Sequence, residues 1–127
     1  MTFKAEISPR IFKTAWFNKA AKKARISDKE LCAAISQVMQ GQADDLGGGV
    51  FKKRLNDNRY RSIIVAKGGK HWIYAYLFAK KDRDNIGIDE LAEFKKMASL
   101  YSRQPDAIID AEIENGYLLE ICNVKQT

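Results

Sequence analysis

Eight basic side chains of this 127-residue chain fall in three short segments that interleave them with apolar and aromatic residues: Val50-Phe51-Lys52-Lys53-Arg54-Leu55, Arg59-Tyr60-Arg61-Ser62-Ile63-Ile64-Val65 and Phe78-Ala79-Lys80-Lys81-Asp82-Arg83-Asp84-Asn85. A strand that spends alternate positions on Lys and Arg cannot bury both faces, so one face meets water or something negatively charged. Guanidinium and ammonium groups hold phosphates, and aromatic rings stack unpaired bases, so such a surface suits single-stranded nucleic acid. It also suits cleavage of RNA by the neighbouring 2′-hydroxyl, which builds charge on the phosphate and needs a base, an acid and cations. That route can proceed without metal, and the chain shows neither a carboxylate cluster nor a His and Cys metal motif. The alternative is a solvated cationic face above an ordinary aromatic core.

Register decides which of these side chains meet. With Asp57-Asn58 as a two-residue hairpin loop, Arg54 opposes Arg61, and Lys52, Arg54, Arg59 and Arg61 share one face. With Gly68-Gly69 as the next loop, Lys67 opposes Lys70. Trp72, Tyr74, Tyr76 and Phe78 then fall opposite Val65, Ile63, Arg61 and Arg59, on the cationic face. The other face carries Phe51, Leu55, Tyr60, Ile64, Ala66, Ile73, Ala75, Leu77 and Ala79 and is the expected core. Lys53 is the misfit there and must lie at an edge or snorkel out.

The elements that must position this surface follow from pattern. Ile11 to Thr14 is a short β-branched strand preceded by an N-terminal extension over residues 1–9. Phe17, Ala20, Ala21 and Ala24 recur at helical spacing over Ala15 to Ala24. Ser27-Asp28-Lys29-Glu30 matches a capping box and opens a second helix with a stripe of Leu31, Ala34, Ile35, Val38 and Met39, so the two helices are expected to form an antiparallel hairpin. Gly47-Gly48-Gly49 releases the chain into strands over Val50 to Asn56, Arg59 to Lys67 and Lys70 to Ala79. Asp89 can cap a helix carrying Leu91, Phe94, Met97, Ala98 and Tyr101, Pro105 can open another that ends at Asn115-Gly116, and Tyr117 to Cys122 closes as a strand. The fold class is α+β in a single domain, with an N-terminal helical hairpin packed on a mainly antiparallel β-sheet, C-terminal helices and a closing strand.

Composition narrows the partners. Lys and Arg number 22 against 16 Asp and Glu, a formal charge of +6 that favours a polyanion without requiring one. Cys32 and Cys122 lie far apart in apolar surroundings without metal-ligand spacing, so they read as buried free thiols of a reducing cytosol, and no metal or other cofactor is expected. No signal-peptide or membrane-length apolar run occurs, which points to the cytoplasm and away from a membrane. His71, the lone histidine, sits at a strand start where an exposed structural role is expected.

At these residues the chain resembles the RelE family of bacterial toxins within the RelE/ParE/HigB superfamily, in its RelE- or HigB-like members. The resemblance is carried by Ile11-Phe12-Lys13-Thr14-Ala15-Trp16-Phe17, Arg25-Ile26-Ser27-Asp28-Lys29-Glu30-Leu31-Cys32, Asp45-Leu46-Gly47-Gly48-Gly49-Val50 and Phe78-Ala79-Lys80-Lys81-Asp82-Arg83-Asp84-Asn85-Ile86, in that order. It implies the toxin of a type II toxin-antitoxin system, a ribosome-dependent endoribonuclease that cuts messenger RNA and is neutralised by a helix-turn-helix antitoxin encoded beside it. Lys52, Arg54 and Arg61 match the family's strand cations, and Lys81 or Arg83 matches the basic position after the next strand. Lys53, Arg59, Trp72, Tyr74 and Lys80 are the expected further RNA contacts. The family's C-terminal Tyr has no counterpart in Asn85-Ile86-Gly87-Ile88, and Tyr76, expected to face Arg61, is its substitute in acid-base chemistry. Two other readings stay open: inhibition by binding alone, as ParE relatives act on DNA gyrase, and a non-catalytic RNA-binding module.

Overall fold

The computed structural model describes residues 9–68 and 70–122, so the expected N-terminal extension, apart from Pro9, and Gly69 of the expected Gly68-Gly69 turn lie outside the described residues. The elements are β1 (Arg10–Thr14), α1 (Ala15–Lys23), α2 (Asp28–Met39), β2 (Asp44–Gly47), β3 (Val50–Leu55), β4 (Tyr60–Lys67), β5 (His71–Ala79), α3 (Ile88–Arg103), α4 (Asp106–Glu114) and β6 (Leu118–Ile121). The strands form one sheet in the order β2-β3-β4-β5-β1-β6, in which only the β1/β5 pair is parallel. The expected α+β class holds, with β2 as an edge strand that the pattern of Asp44-Asp45-Leu46-Gly47 did not announce.

The first helices are fixed by local chemistry. Thr14 Oγ1 accepts from Phe17 N at 3.0 Å and starts α1. At its end Arg25 takes φ +60°, Arg25 N donates to Lys22 O and Ile26 N donates to Ala21 O, a Schellman cap with Arg where glycine is usual. Ser27 Oγ accepts from Glu30 N at 3.2 Å, but only this half of the expected capping box forms. The Glu30 carboxylate accepts instead from Asn56 N, tying the start of α2 to the β3–β4 turn. Phe17, Ala21, Leu31, Ala34, Ile35 and Val38 carry both helices onto one sheet face, against Leu55, Ile64, Trp72, Tyr74 and Leu77.

The β3–β4 turn matches expectation: Arg54 opposes Arg61, and Asn56, Asp57 and Asn58 take φ of +52°, +53° and +72°. Asn and Asp tolerate that left-handed region better than other side chains. The β4–β5 pairing does not match. Lys67 opposes His71, not Lys70, because the connection spans three residues; Ala66 therefore meets Trp72 and Ile64 meets Tyr74. A bulge follows, with Ile63 opposite Tyr76 and Ile64 opposite Tyr74, so Ala75 is the extra residue. One step of slip reverses every side chain before the bulge, which is why Trp72 and Tyr74 point into the α1/α2 core while Ile73 and Ala75 pack on the other face. Beyond the bulge, Tyr76 and Phe78 return to the face that carries Arg61.

That face is not left open to solvent, as the charge pattern had implied. Leu91 and Phe94 of α3 pack on Val50, Ile63 and Phe78; Ala98 packs on Val65 and Ala75; Ile109 of α4 packs on Phe12, Ile73 and Leu118. The sheet is the middle of three layers. The cap of α3 is Gly87, not Asp89, because the Glu90 carboxylate turns back to accept from Gly87 N at 2.6 Å. Gly49, at φ +85°, passes under α3 so closely that a Cβ there would stand 3.2 Å from Ala98 Cβ.

The cysteines also depart from expectation. Cys32 of α2 and Cys122, just after β6, are joined by a disulfide across 90 residues of sequence, and no free cysteine remains among the described residues. Sequence distance concealed the pairing, because β6 returns beside β1 and brings its end to the face that α2 covers. Among the described residues no helix is long and apolar enough to cross a membrane.

Candidate functional site

The β3–β4 hairpin places Arg54 directly across from Arg61, with Lys52 two residues along β3 on the same face. Arg54 is exposed, Lys52 is half-buried and Arg61 is 8% exposed. The Arg61 Nη1 donates to Asn58 O at 3.0 Å and to Tyr60 O at 3.3 Å. Among the described residues no carboxylate comes within ion-pair distance of it. Carbonyl dipoles satisfy part of the fork without neutralising the charge, so Arg61 is a buried cation held in place with no charged partner among the described residues. Lys52 Nζ lies 3.7 Å from Asp44 Oδ2, a loose pair that β2 supplies. Lys53 snorkels as expected, donating from Nζ to Gln42 O at 2.9 Å; burial first, and the neighbouring Arg54 charge second, hold its pKa below the usual lysine value.

Tyr76 reaches this face through the Ala75 bulge. Its ring is half-buried, stacked on Trp16 with centroids 5.1 Å apart and tilted against Phe78 and Phe94. Its partner across the sheet is Ile63, not the expected Arg61, and Phe78, expected opposite Arg59, lies opposite Arg61 instead, because the slip and the bulge together move the pairing by two residues. The charged group beside Tyr76 is Arg83. That guanidinium forks onto the Glu90 carboxylate, with one bond of 3.1 Å, donates from Nε to Asn85 O at 2.9 Å and lies over the Phe78 ring at 5.5 Å. Glu90 foremost, and the Tyr76 hydroxyl after it, favour the charged form of Arg83. Reciprocally Arg83, and then Gly87 N–H, hold Glu90 below the usual carboxylate range.

The other expected RNA contacts divide. Arg59, Lys80 and Lys81 are exposed around a cleft of about 470 Å³ that Asn58 and Tyr60 also line. Arg59 sits in the turn rather than on the strand, with its carbonyl accepting from Lys80 N at 2.9 Å. Trp72 and Tyr74 are not on this surface. Trp72 packs on Phe51, while Tyr74 packs on Phe17 and donates to Leu31 O at 2.7 Å, so neither ring has a face free for a base. Burial, reinforced by Glu30, pushes the Tyr74 phenol well above its ordinary pKa. His71 is not exposed either: it is 2% accessible, edge-on to Phe12, with Nε2 3.4 Å from Asp106 Oδ1. The three-residue connection turns it under α4.

Two residues at the site escaped the sequence reading. Trp16 is 51% exposed, one position off the buried pair Phe17 and Ala21, and that displacement from the apolar stripe of α1 was its signal. Glu90 gave no signal, since its role depends on the loop from Lys80 to Gly87 folding back over Phe78.

Compared with known proteins, residues 9–121 match the family model described as the RelE toxin of the RelE / RelB toxin-antitoxin system. No curated protein and no solved structure matches the chain.

Proposed function

Because the chain belongs to the RelE toxin family, and is thereby the toxin of a toxin-antitoxin pair with an antitoxin as partner, we propose that it is a ribosome-dependent, metal-independent endoribonuclease that cuts messenger RNA. The observation that carries this reading is Arg61, buried and carbonyl-braced with no carboxylate partner among the described residues, directly across from exposed Arg54. A phosphate seated between them supplies the missing anion, and the two guanidiniums take up the charge that grows on its oxygens as the 2′-hydroxyl, losing its proton to water, attacks and the bond to the 5′-oxygen breaks. Lys52 adds a third cation from the same face, and Lys81, exposed on the adjoining loop, a fourth.

Arg83 has a different part from the one its charge alone implied. Committed to Glu90, it lines the same cleft as Tyr76, and Tyr76 hands a proton to the leaving 5′-oxygen as general acid. Arg59 and Lys80 hold the flanking backbone, and Lys53 supports the β2 edge. Within this reading the cytoplasm, where messages are translated, is the place of action, and the antitoxin is a helix-turn-helix protein encoded by a neighbouring gene.

The test is to map message 5′ ends in a cell-free translation reaction and on the same RNA without ribosomes. New ends are expected only with translating ribosomes, and Arg54→Ala, an exposed change that leaves the core intact, is expected to lower their yield about a hundredfold. Arrest of translation with every message intact contradicts the nuclease reading and favours inhibition by binding alone.

A further inference from the structure

Beside the phosphate-binding row lies a second cleft, of about 400 Å³, between α1 and the loop that leads from β5 to α3. Its wall is aromatic, built from Trp16, Tyr60 and Tyr76, and its rim carries Lys23, Lys81 and Arg83 against one carboxylate, Asp82. Trp16 stacks one face on Tyr76 and is half-exposed, which leaves its other side to the cleft. The core beneath α1 does not need this tryptophan, since Phe17 and Ala21 already fill it, and its contact with Tyr76 covers only one of its faces. Among the described residues neither Lys23 nor Lys81 makes an ion pair, so the rim stays cationic.

From this arrangement we infer that the cleft is a base-binding subsite, in which Trp16 stacks on the nucleobase adjoining the scissile phosphate while Lys23 holds the next phosphate along the strand. The inference rests on the nuclease reading for the identity of the strand, because Tyr76 is shared between the cleft and the proposed site. The chemistry selects an unpaired base: a π-face is met by a π-face, and the cations follow a single backbone. Stacking tolerates every base but favours the larger purines, so Trp16 also biases which positions are cut.

Two measurements test it independently. Tryptophan fluorescence of the full chain is titrated with single-stranded RNA trinucleotides and with an abasic trinucleotide of equal charge. Trp72 is buried and Trp16 is not, so saturable quenching by the base-bearing RNA, absent with the abasic oligomer, is expected; equal quenching by both, or none at millimolar RNA, overturns the subsite. In the translation reaction Trp16→Ala is expected to lower cleavage roughly tenfold and flatten base preference at the cut, with Trp16→Phe restoring most of both. Unchanged yield and sites with Trp16→Ala overturn the subsite while leaving the nuclease reading intact. Translation arrest without cuts by the parent chain overturns the nuclease reading, and the quenching experiment, which needs neither ribosome nor cleavage, still decides the cleft.

Discussion

Arg61 and Tyr76 divide the proposed chemistry between charge and proton. Arg61 is costly to bury without a carboxylate, and its two carbonyl contacts keep it oriented without discharging it. Tyr76→Phe removes only a hydroxyl from a ring that Trp16, Phe78 and Phe94 already hold, so the fold should persist while cleavage falls about a hundredfold or more, read as single-turnover rate at saturating ribosomes. Glu90→Gln should act through Arg83 and lower cleavage more gently. Of the site, the strand cations were legible in the sequence because the β3–β4 turn carries its own signal in Asn56-Asp57-Asn58. Trp72 and Tyr74 face the core because the connection is one residue longer than its Gly-Gly signal implies, and the extra residue at Ala75, which returns Tyr76 to the Arg61 face, leaves no trace in an alternating pattern either.

At the scale of elements, helix ends and turns carry the residues that local rules find unusual. Arg25 occupies a left-handed cap with a side chain that disfavours it, so Arg25→Gly is expected to raise stability by about 0.5–1 kcal/mol in urea unfolding. Gly49→Ala should do the reverse by about 1–2 kcal/mol, because it joins a positive φ to crowding against Ala98. The Arg83–Glu90 pair holds the loop over Phe78. Since Glu90 titrates below its ordinary 4.5 in the folded chain, the pair's contribution is complete above that value and is lost as pH falls through the lower folded one. Acid unfolding profiles of the parent chain and Glu90→Gln should therefore diverge at neutral pH and converge in strong acid. The disulfide closes a loop of about 90 residues, and chain entropy alone assigns it up to about 4–5 kcal/mol, measurable as the loss in unfolding midpoint on reduction. Helices α1, α2 and α4 were legible from periodicity and caps. Strand β2 and the cysteine pairing were not, because both depend on where distant segments return.

For the whole molecule, a charge of +6 and two adjoining cationic clefts describe a surface that meets a polyanion, while the sheet between its helical layers fixes which cations meet it. Association with RNA-rich particles should weaken steeply as salt rises, and the slope of log affinity against log salt should shrink when Lys23 and Lys81 are both changed to Ala. The family membership supplies an antitoxin partner, and the three-layer core explains how so small a chain keeps a buried guanidinium in register. The most direct measurement is the single-turnover rate at which the chain cuts a message held on a programmed ribosome, compared with Arg61→Lys and Arg54→Ala variants whose circular dichroism matches the parent. The account predicts a fall of about a hundredfold or more in each. Cleavage at the parent rate by either folded variant contradicts it.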